Sequence, residues 1–282
     1  MPDRETSPDR SDFPIGIFDS GVGGLSVLRH IRAHLPHEHL LYFADSGYAP
    51  YGDKTEEAIV ERSLMIADFL LQRGAKALVV ACNAATAASI KALRALYPAV
   101  PVVGVEPGLK PAAAITQSQI VGVLATKSTL ASEKFNQLRE LQTAATGVRF
   151  LTQACVGLAD QIEKGELQSV ETALMVKRYV EPLIERGADT LVLGCTHYPF
   201  VQDLIERSAR SAGESTIAIV DTGEAVARQL ARLLEQHEKR GQMGKAGQLE
   251  SFTSGSETML RSAFSKLLNL EPPVARIEAR SS

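Results

Sequence analysis

The chain has 282 residues, with 30 basic against 33 acidic side chains and a formal net charge of −3. That balance excludes the strong basic footprint of a nucleic-acid or membrane-surface binder, and 45% hydrophobic content is enough for a large folded core. No apolar run reaches the roughly 18 residues of a membrane span, the N-terminus has no secretory apolar stretch, and three scattered cysteines without a CxxC argue against a disulfide or zinc framework. The expectation is a cytoplasmic folded protein without metal, nucleic acid or membrane as partner.

Residues 1–12 read as a disordered tail. Short β-rich runs then alternate with longer helical patterns, which predicts α/β units and parallel sheets. Ile15–Phe18 is a first strand, running into the glycine-rich turn Asp19-Ser20-Gly21-Val22-Gly23-Gly24 and a helix from Leu25 to Ala33. Leu40–Ala44 follows, then an amphipathic helix from Thr55 to Gln72 that stops at Gly74. Leu78–Ala81 is a buried strand ending in Cys82-Asn83, before an alanine-rich helix to Leu96. Val102–Val105, Ile120–Leu124, Leu191–Leu193, Ile217–Val220 and Leu249–Thr253 continue the strands, and 237–248 is a polar surface connection.

The chain also echoes itself. Arg73-Gly74-Ala75 through Cys82 aligns with Arg186-Gly187-Ala188 through Cys195, and Gly16–Ser20 aligns more weakly with Gly122–Thr126. Two pseudo-symmetric α/β halves would each present a cysteine at the C-terminal end of a buried strand, where ligands of open α/β sheets gather. The expected division is 13–106 plus 217–282 against 107–216, with the site in the cleft between the two.

Cysteine is among the most buried residue types, and simple packing suits Cys155. It suits Cys82 and Cys195 less well, because polar residues follow each where a strand meets a loop, and both precede predicted helices. A thiol of pKa about 8.5 needs such a neighbourhood to work as a thiolate. Asp19 is either a turn cap or a strand-end carboxylate able to exchange a proton. The run G-V-G-G is not a dinucleotide fingerprint. His197 stands two positions after Cys195, in what reads as a stiff, exposed His197-Tyr198-Pro199 loop. Pro50-Tyr51-Gly52, Thr126 and Thr129 are ordinary turn or cap material when taken singly.

Together the segments GIFDSGVGGLSVL, YFADSGYAPYGDK, VVACNAATAAS, PVVGVEPGLKPA, VLATKST, LVLGCTHYPF and IVDTGEAVA, in order over residues 16–227, resemble the glutamate racemase family. Aspartate and hydantoin racemases share the two-cysteine plan but resemble these loops less. The resemblance implies a cofactor-independent enzyme that interconverts L- and D-glutamate, supplies D-glutamate for peptidoglycan synthesis, and forms a homodimer. It assigns Cys82 and Cys195 as the two acid/base groups, with Asp19 assisting Cys82, His197 assisting Cys195, and Glu163 as a further supporting carboxylate. Substrate contacts would come from Asp19, Ser20, Tyr51, Gly52, Asn83, Ala84, Thr126, Thr129, Thr196 and His197. The family usually carries Asn-Thr after the first cysteine, whereas this chain has Asn83-Ala84, so a hydroxyl is missing and a backbone amide remains. Two other readings compete: a Cys/His thiol hydrolase, which would not need the second cysteine, and a binding module, which would need neither.

Overall fold

The computed structural model describes residues 12–213, 216–241 and 246–277. The expected tail therefore lies outside the described residues except for Asp12, as does the middle of the 237–248 connection. Two parallel sheets organise the chain. The first contains β1 (Ile15–Asp19), β2 (Leu40–Ala44), β3 (Ala77–Val80), β4 (Val102–Gly104) and two late strands. The second contains β5 (Ile120–Ala125), β6 (Arg149–Ala154), β7 (Thr190–Gly194) and β8 (Ala218–Val220). The late strands of the first sheet are β9 (Leu249–Thr253) and β10 (Val274–Arg276). The orders are β10-β9-β2-β1-β3-β4 and β6-β5-β7-β8, so the run β2-β1-β3-β4 has the same topology as the whole second sheet.

The repeat seen in the sequence has a structural cause. Gly16 pairs with Leu78 and Gly122 pairs with Leu191, so β1 and β5 occupy equivalent places beside β3 and β7. Gly74 and Gly187 both have positive φ, +84° and +89°, where a side chain is strained. Each ends a helix and turns the chain into the strand that leads to a cysteine. Those helices are α2 (Glu56–Gln72), capped at its start by the Thr55 hydroxyl, and α8 (Val170–Glu185).

Helices cover both faces of the first sheet. Ile15, Ile17, Tyr42 and Val79 face α1 (Leu25–His34), α10 (Gly223–Gln236) and α11 (Glu257–Leu268), while Phe18, Phe43 and Val80 face α2 and α3 (Asn83–Leu96). This two-sided burial explains why the strands are apolar throughout rather than alternating. In the second sheet Leu124, Leu191 and Leu193 pack toward α7 (Leu158–Glu163), α8 and α9 (Gln202–Ser211). Val121, Val123 and Val192 pack toward α4 (Leu109–Ile115) and α6 (Glu133–Thr146), with α5 (Lys127–Ala131) between β5 and α6.

One expected boundary is corrected. A return to the first half near Ile217 would place β8 there, but Ala218, Ile219 and Val220 pair with Thr190, Leu191 and Val192 of β7. The chain returns only after Val220, through Asp221-Thr222 into α10, whose Leu230 and Leu234 join the core around α1. Ile219 and Val220 are apolar because they finish the second sheet, which a reading by chain order alone assigns to the wrong side.

Candidate active site

The strand ends of the two sheets meet at a cavity of about 650 Å³. Cys82 and Cys195 both line it, and so do Ser20, Tyr51, Gly52, Asn83, Ala84, Thr126, Thr129, Thr196, His197 and Glu163. Asp19 is fully buried immediately behind this wall. The residues expected to form the site are thus brought together from both sheets.

Cys82 is the residue before α3. Its sulfur accepts from the Ala85 amide at 3.5 Å and donates to the Ser20 hydroxyl at 3.5 Å. Burial pushes its thiol up to about 12, with the Asp19 charge adding to the shift. At neutral pH Cys82 therefore rests as a thiol, ready to donate rather than to accept. Asn83 and Ala84 contribute the first amides of α3, which have no acceptor inside the helix and so suit an anionic group. Both polar atoms of the Asn83 side chain are buried without a partner within the protein.

Cys195 follows β7 directly, and its sulfur lies 3.5 Å from Nδ1 of His197. The other ring nitrogen, Nε2, lies 2.6 Å from Oε1 of Glu163. Burial alone would lower the His197 pKa, but the Cys195 sulfur and the Glu163 carboxylate outweigh it and hold the ring well above its usual range. Burial would likewise raise Glu163, and the bonds from His197 and the Val22 amide reverse that and hold its carboxyl low. The Cys195 side of the cavity therefore carries a hydrogen-bonded histidine–carboxylate pair, with a ring nitrogen placed to pass a proton to or from the sulfur. His197 is not in the exposed loop that its local sequence suggests. It is 5% exposed, and Tyr198 and Pro199 begin a buried 3₁₀ turn.

The glycine turn after Asp19 is what lets the two halves touch. A Cβ at Gly21 would stand 2.0 Å from Glu163 Oε1, and one at Gly23 would stand 2.4 Å from His197 Nδ1. The Val22 amide, between them, donates to Glu163 at 2.7 Å. Asp19 holds the turn in shape, since its Oδ2 accepts from the amides of Gly21 at 3.2 Å and Gly24 at 2.8 Å. Burial pushes the Asp19 carboxyl up, only partly offset by His197 and the Gly24 amide. Asp19, Glu163 and His197 are near enough to share a cation, but the Glu163 oxygen nearest the ring already takes two donors.

Thr126 caps α5, accepting the Thr129 amide at 3.2 Å while its hydroxyl donates to that of Thr129 at 2.9 Å. Both hydroxyls therefore sit at the cavity wall in a fixed arrangement. Some site residues escaped the sequence reading. The Ser26 hydroxyl donates to the Thr196 carbonyl at 2.8 Å, and the Tyr42 hydroxyl donates to the Gly21 carbonyl at 3.0 Å. Met259 and Leu260 of α11 close one side of the cavity, and Cys155, read as packing, also lines it. No local signal distinguishes these from core residues. Ser26 and Tyr42 act through partners more than twenty positions away.

A family model described as Asp/Glu/Hydantoin racemase matches residues 24–230. The glutamate racemase of Ectopseudomonas mendocina (strain ymp) is 56% identical over 230 residues, covering 82% of this chain and 85% of that one. That of Methylococcus capsulatus (strain ATCC 33009 / NCIMB 11132 / Bath) is 59% identical over 225 residues, covering 80% of each. Among solved structures, glutamate racemase isoform RacE1 from Bacillus anthracis superposes with a TM-score of 0.84 at 31% identity, over 95% of this chain and 98% of that one. The Escherichia coli glutamate racemase, solved with L-glutamate and the activator UDP-MurNAc-ala, gives 0.79 at 31% identity over 94% and 97%. From the extent of these matches, the chain belongs to the Asp/Glu/Hydantoin racemase family and stands among its glutamate racemases.

Proposed function

We infer that this chain interconverts L- and D-glutamate by moving a proton between Cα and two cysteines on opposite sides of it, without a cofactor. The observation that carries this reading is the pair of thiols, at equivalent strand ends of two like sheets, lining one cavity. A hydrolase needs one nucleophilic thiol and gains nothing from the second. The substrate assignment is supported by the identity to glutamate racemases.

Inversion requires proton removal from one face of Cα and delivery to the other. In the L-to-D direction Cys195, as thiolate, takes the α-proton, and Cys82, as thiol, gives its proton to the opposite face. The reverse direction exchanges these roles, and the assignment of faces follows the family resemblance. Cys82 is in the required form at rest, because burial holds it protonated. His197 and Glu163 set the proton inventory on the Cys195 side. The α-hydrogen of free glutamate is a very weak acid, so the developing charge needs fixed donors in a dry site, each worth about 3 kcal/mol. Asn83, Thr196 and the first amides of α3 supply them. The D-glutamate formed is a precursor for peptidoglycan. A homodimer, implied by the family resemblance, completes the reading and is checked by sedimentation.

The deciding experiment is incubation with L-glutamate in D₂O with no added cofactor, following optical rotation and deuterium at Cα. Loss of rotation together with deuterium uptake is expected. A strict need for pyridoxal phosphate, or full activity after thiol alkylation, would overturn the reading.

A further inference from the structure

The cavity wall on the side of the first sheet is built from two segments distant in sequence, Ser46–Gly52 after β2 and Gly255–Leu260 after β9. The first is irregular up to the turn at Tyr51, and the second runs from Ser254 into the first turn of α11. Both converge on a single carboxylate, that of Asp45, which is 0% exposed and does not itself line the cavity. Its Oδ2 accepts from the Tyr51 hydroxyl at 2.7 Å and from Arg62 Nε of α2 at 3.0 Å. Its Oδ1 accepts from the Ser254 hydroxyl at 2.6 Å and from the Arg62 Nη2. Ser254 Oγ in turn accepts from the Gly47 amide at 3.0 Å, joining the two segments directly. Glycine is required at that crossing, since a Cβ at Gly47 would stand 2.5 Å from the Ser254 carbonyl oxygen. The Arg62 guanidinium also lies over the Tyr48 ring, 4.9 Å from its centroid.

We propose that Asp45 is a positioning residue for substrate binding: through Tyr51 and Ser254 it fixes both segments of the wall, while touching neither glutamate nor the cysteines. The proposal rests on the racemase reading above. It has a chemical consequence for Tyr51, whose hydroxyl is committed to Asp45. Tyr51 and Gly52 then meet substrate through backbone and ring edge, and not through a free phenol. Arg62, although cationic and close by, is neutralised by Asp45 and does not serve as an anchor for a substrate carboxylate. A wall loosened in this way weakens binding of both enantiomers equally and leaves the two-thiol chemistry in place, which is the signature of lost uniform binding.

The test is steady-state racemisation in both directions by wild type, Tyr51→Phe, Ser254→Ala and the double variant Asp45→Asn/Arg62→Met, alongside thermal unfolding of each. The double variant removes the buried charge together with its partner, so it avoids the unpaired guanidinium that would compromise Asp45→Asn alone. Expected is a KM raised about tenfold for L- and D-glutamate alike, with kcat changed much less, in Tyr51→Phe and in the double variant. Thermal midpoints near that of wild type accompany the change, because a merely structural role would lower the midpoint and spare KM. Wild-type KM in Tyr51→Phe, or in a folded double variant, would overturn the proposal. Should the double variant fail to fold, Tyr51→Phe and Ser254→Ala, which leave the ion pair intact, decide by the same criterion. A wild-type chain that does not racemise glutamate would overturn the functional reading instead, a result distinct from any of these.

Discussion

The two thiols differ by environment more than by position. Cys82 has a hydroxyl, a helix amide and a buried carboxylate nearby, whereas Cys195 has an imidazole tied to Glu163. If each serves one face of Cα, Cys82→Ala should abolish inversion yet still exchange deuterium into L-glutamate, and Cys195→Ala should do the same for D-glutamate. Mass spectrometry with chiral separation reads this directly; inversion at wild-type rate in either variant would mean one base serves both faces. The His197–Glu163 pair makes a second prediction, with a definite sign. Because folding raises the His197 pKa, the stability it contributes is fully present below the unfolded value of about 6.5 and is lost as pH rises through the higher folded value. Glu163→Gln removes one of the two influences that raise the pKa of the ring. Both the decline in thermal midpoint and the basic limb of kcat/KM should then move to lower pH in the variant. Superimposable pH profiles would show that Glu163 does not set the charge of His197.

At the level of elements, the glycine turn between β1 and α1 is a spacer of zero thickness. It lets second-half side chains reach first-half backbone, and Val22 donates to Glu163 across 141 positions of sequence. Gly23→Ala would force a methyl to within 2.4 Å of His197 Nδ1, so the ring must shift from its present place beside Cys195. A displacement of about 1 Å in such a site costs on the order of 100-fold in rate. The expected result is that loss in kcat with little change in the far-UV spectrum, and an unaffected kcat would show that the close approach is incidental. The two late strands belong to this scale as well. β9 extends the first sheet beside β2 and delivers Ser254 to Asp45, so a segment more than two hundred residues downstream completes the wall begun by β2.

On the scale of the whole molecule, the cavity belongs to neither sheet alone. Its walls come from both, and the halves are joined by the chain after β4, by Asp221-Thr222 after β8, and by the Ser26–Thr196 and Val22–Glu163 bonds. A ligand that fills such a cleft binds the folded state and not the unfolded chain. For Cys82→Ala/Cys195→Ala, which cannot turn over, glutamate at 100 times its Kd should stabilise the fold by about 2.7 kcal/mol. Calorimetry with each enantiomer checks this, and a thermal midpoint indifferent to glutamate would argue that the cleft is not its binding site. Among the described residues no helix is long and apolar enough to cross a membrane, in keeping with the near-neutral charge and dispersed apolar residues.

Burial on both faces of a sheet demands continuous apolar runs, and helix ends demand glycine, so the sequence by itself determined most strands, the repeat and the strand-end placement of Cys82 and Cys195. It did not reveal β6 or β10. Arg149–Ala154 is an edge strand with a single fully buried side chain, and Val274–Arg276 is a three-residue edge after two prolines, so neither carries a strong pattern. The motif resemblance extended to Glu163, but which atoms it joins, Val22 and His197, appeared only once the halves met. The burial of His197, the side on which β8 pairs, and the convergence of Tyr51, Arg62 and Ser254 on Asp45 were likewise decided in three dimensions. The physical reason is the same in each case. Local patterning reports whether a residue is buried, whereas partners far apart in the chain are chosen by how two finished sheets pack together.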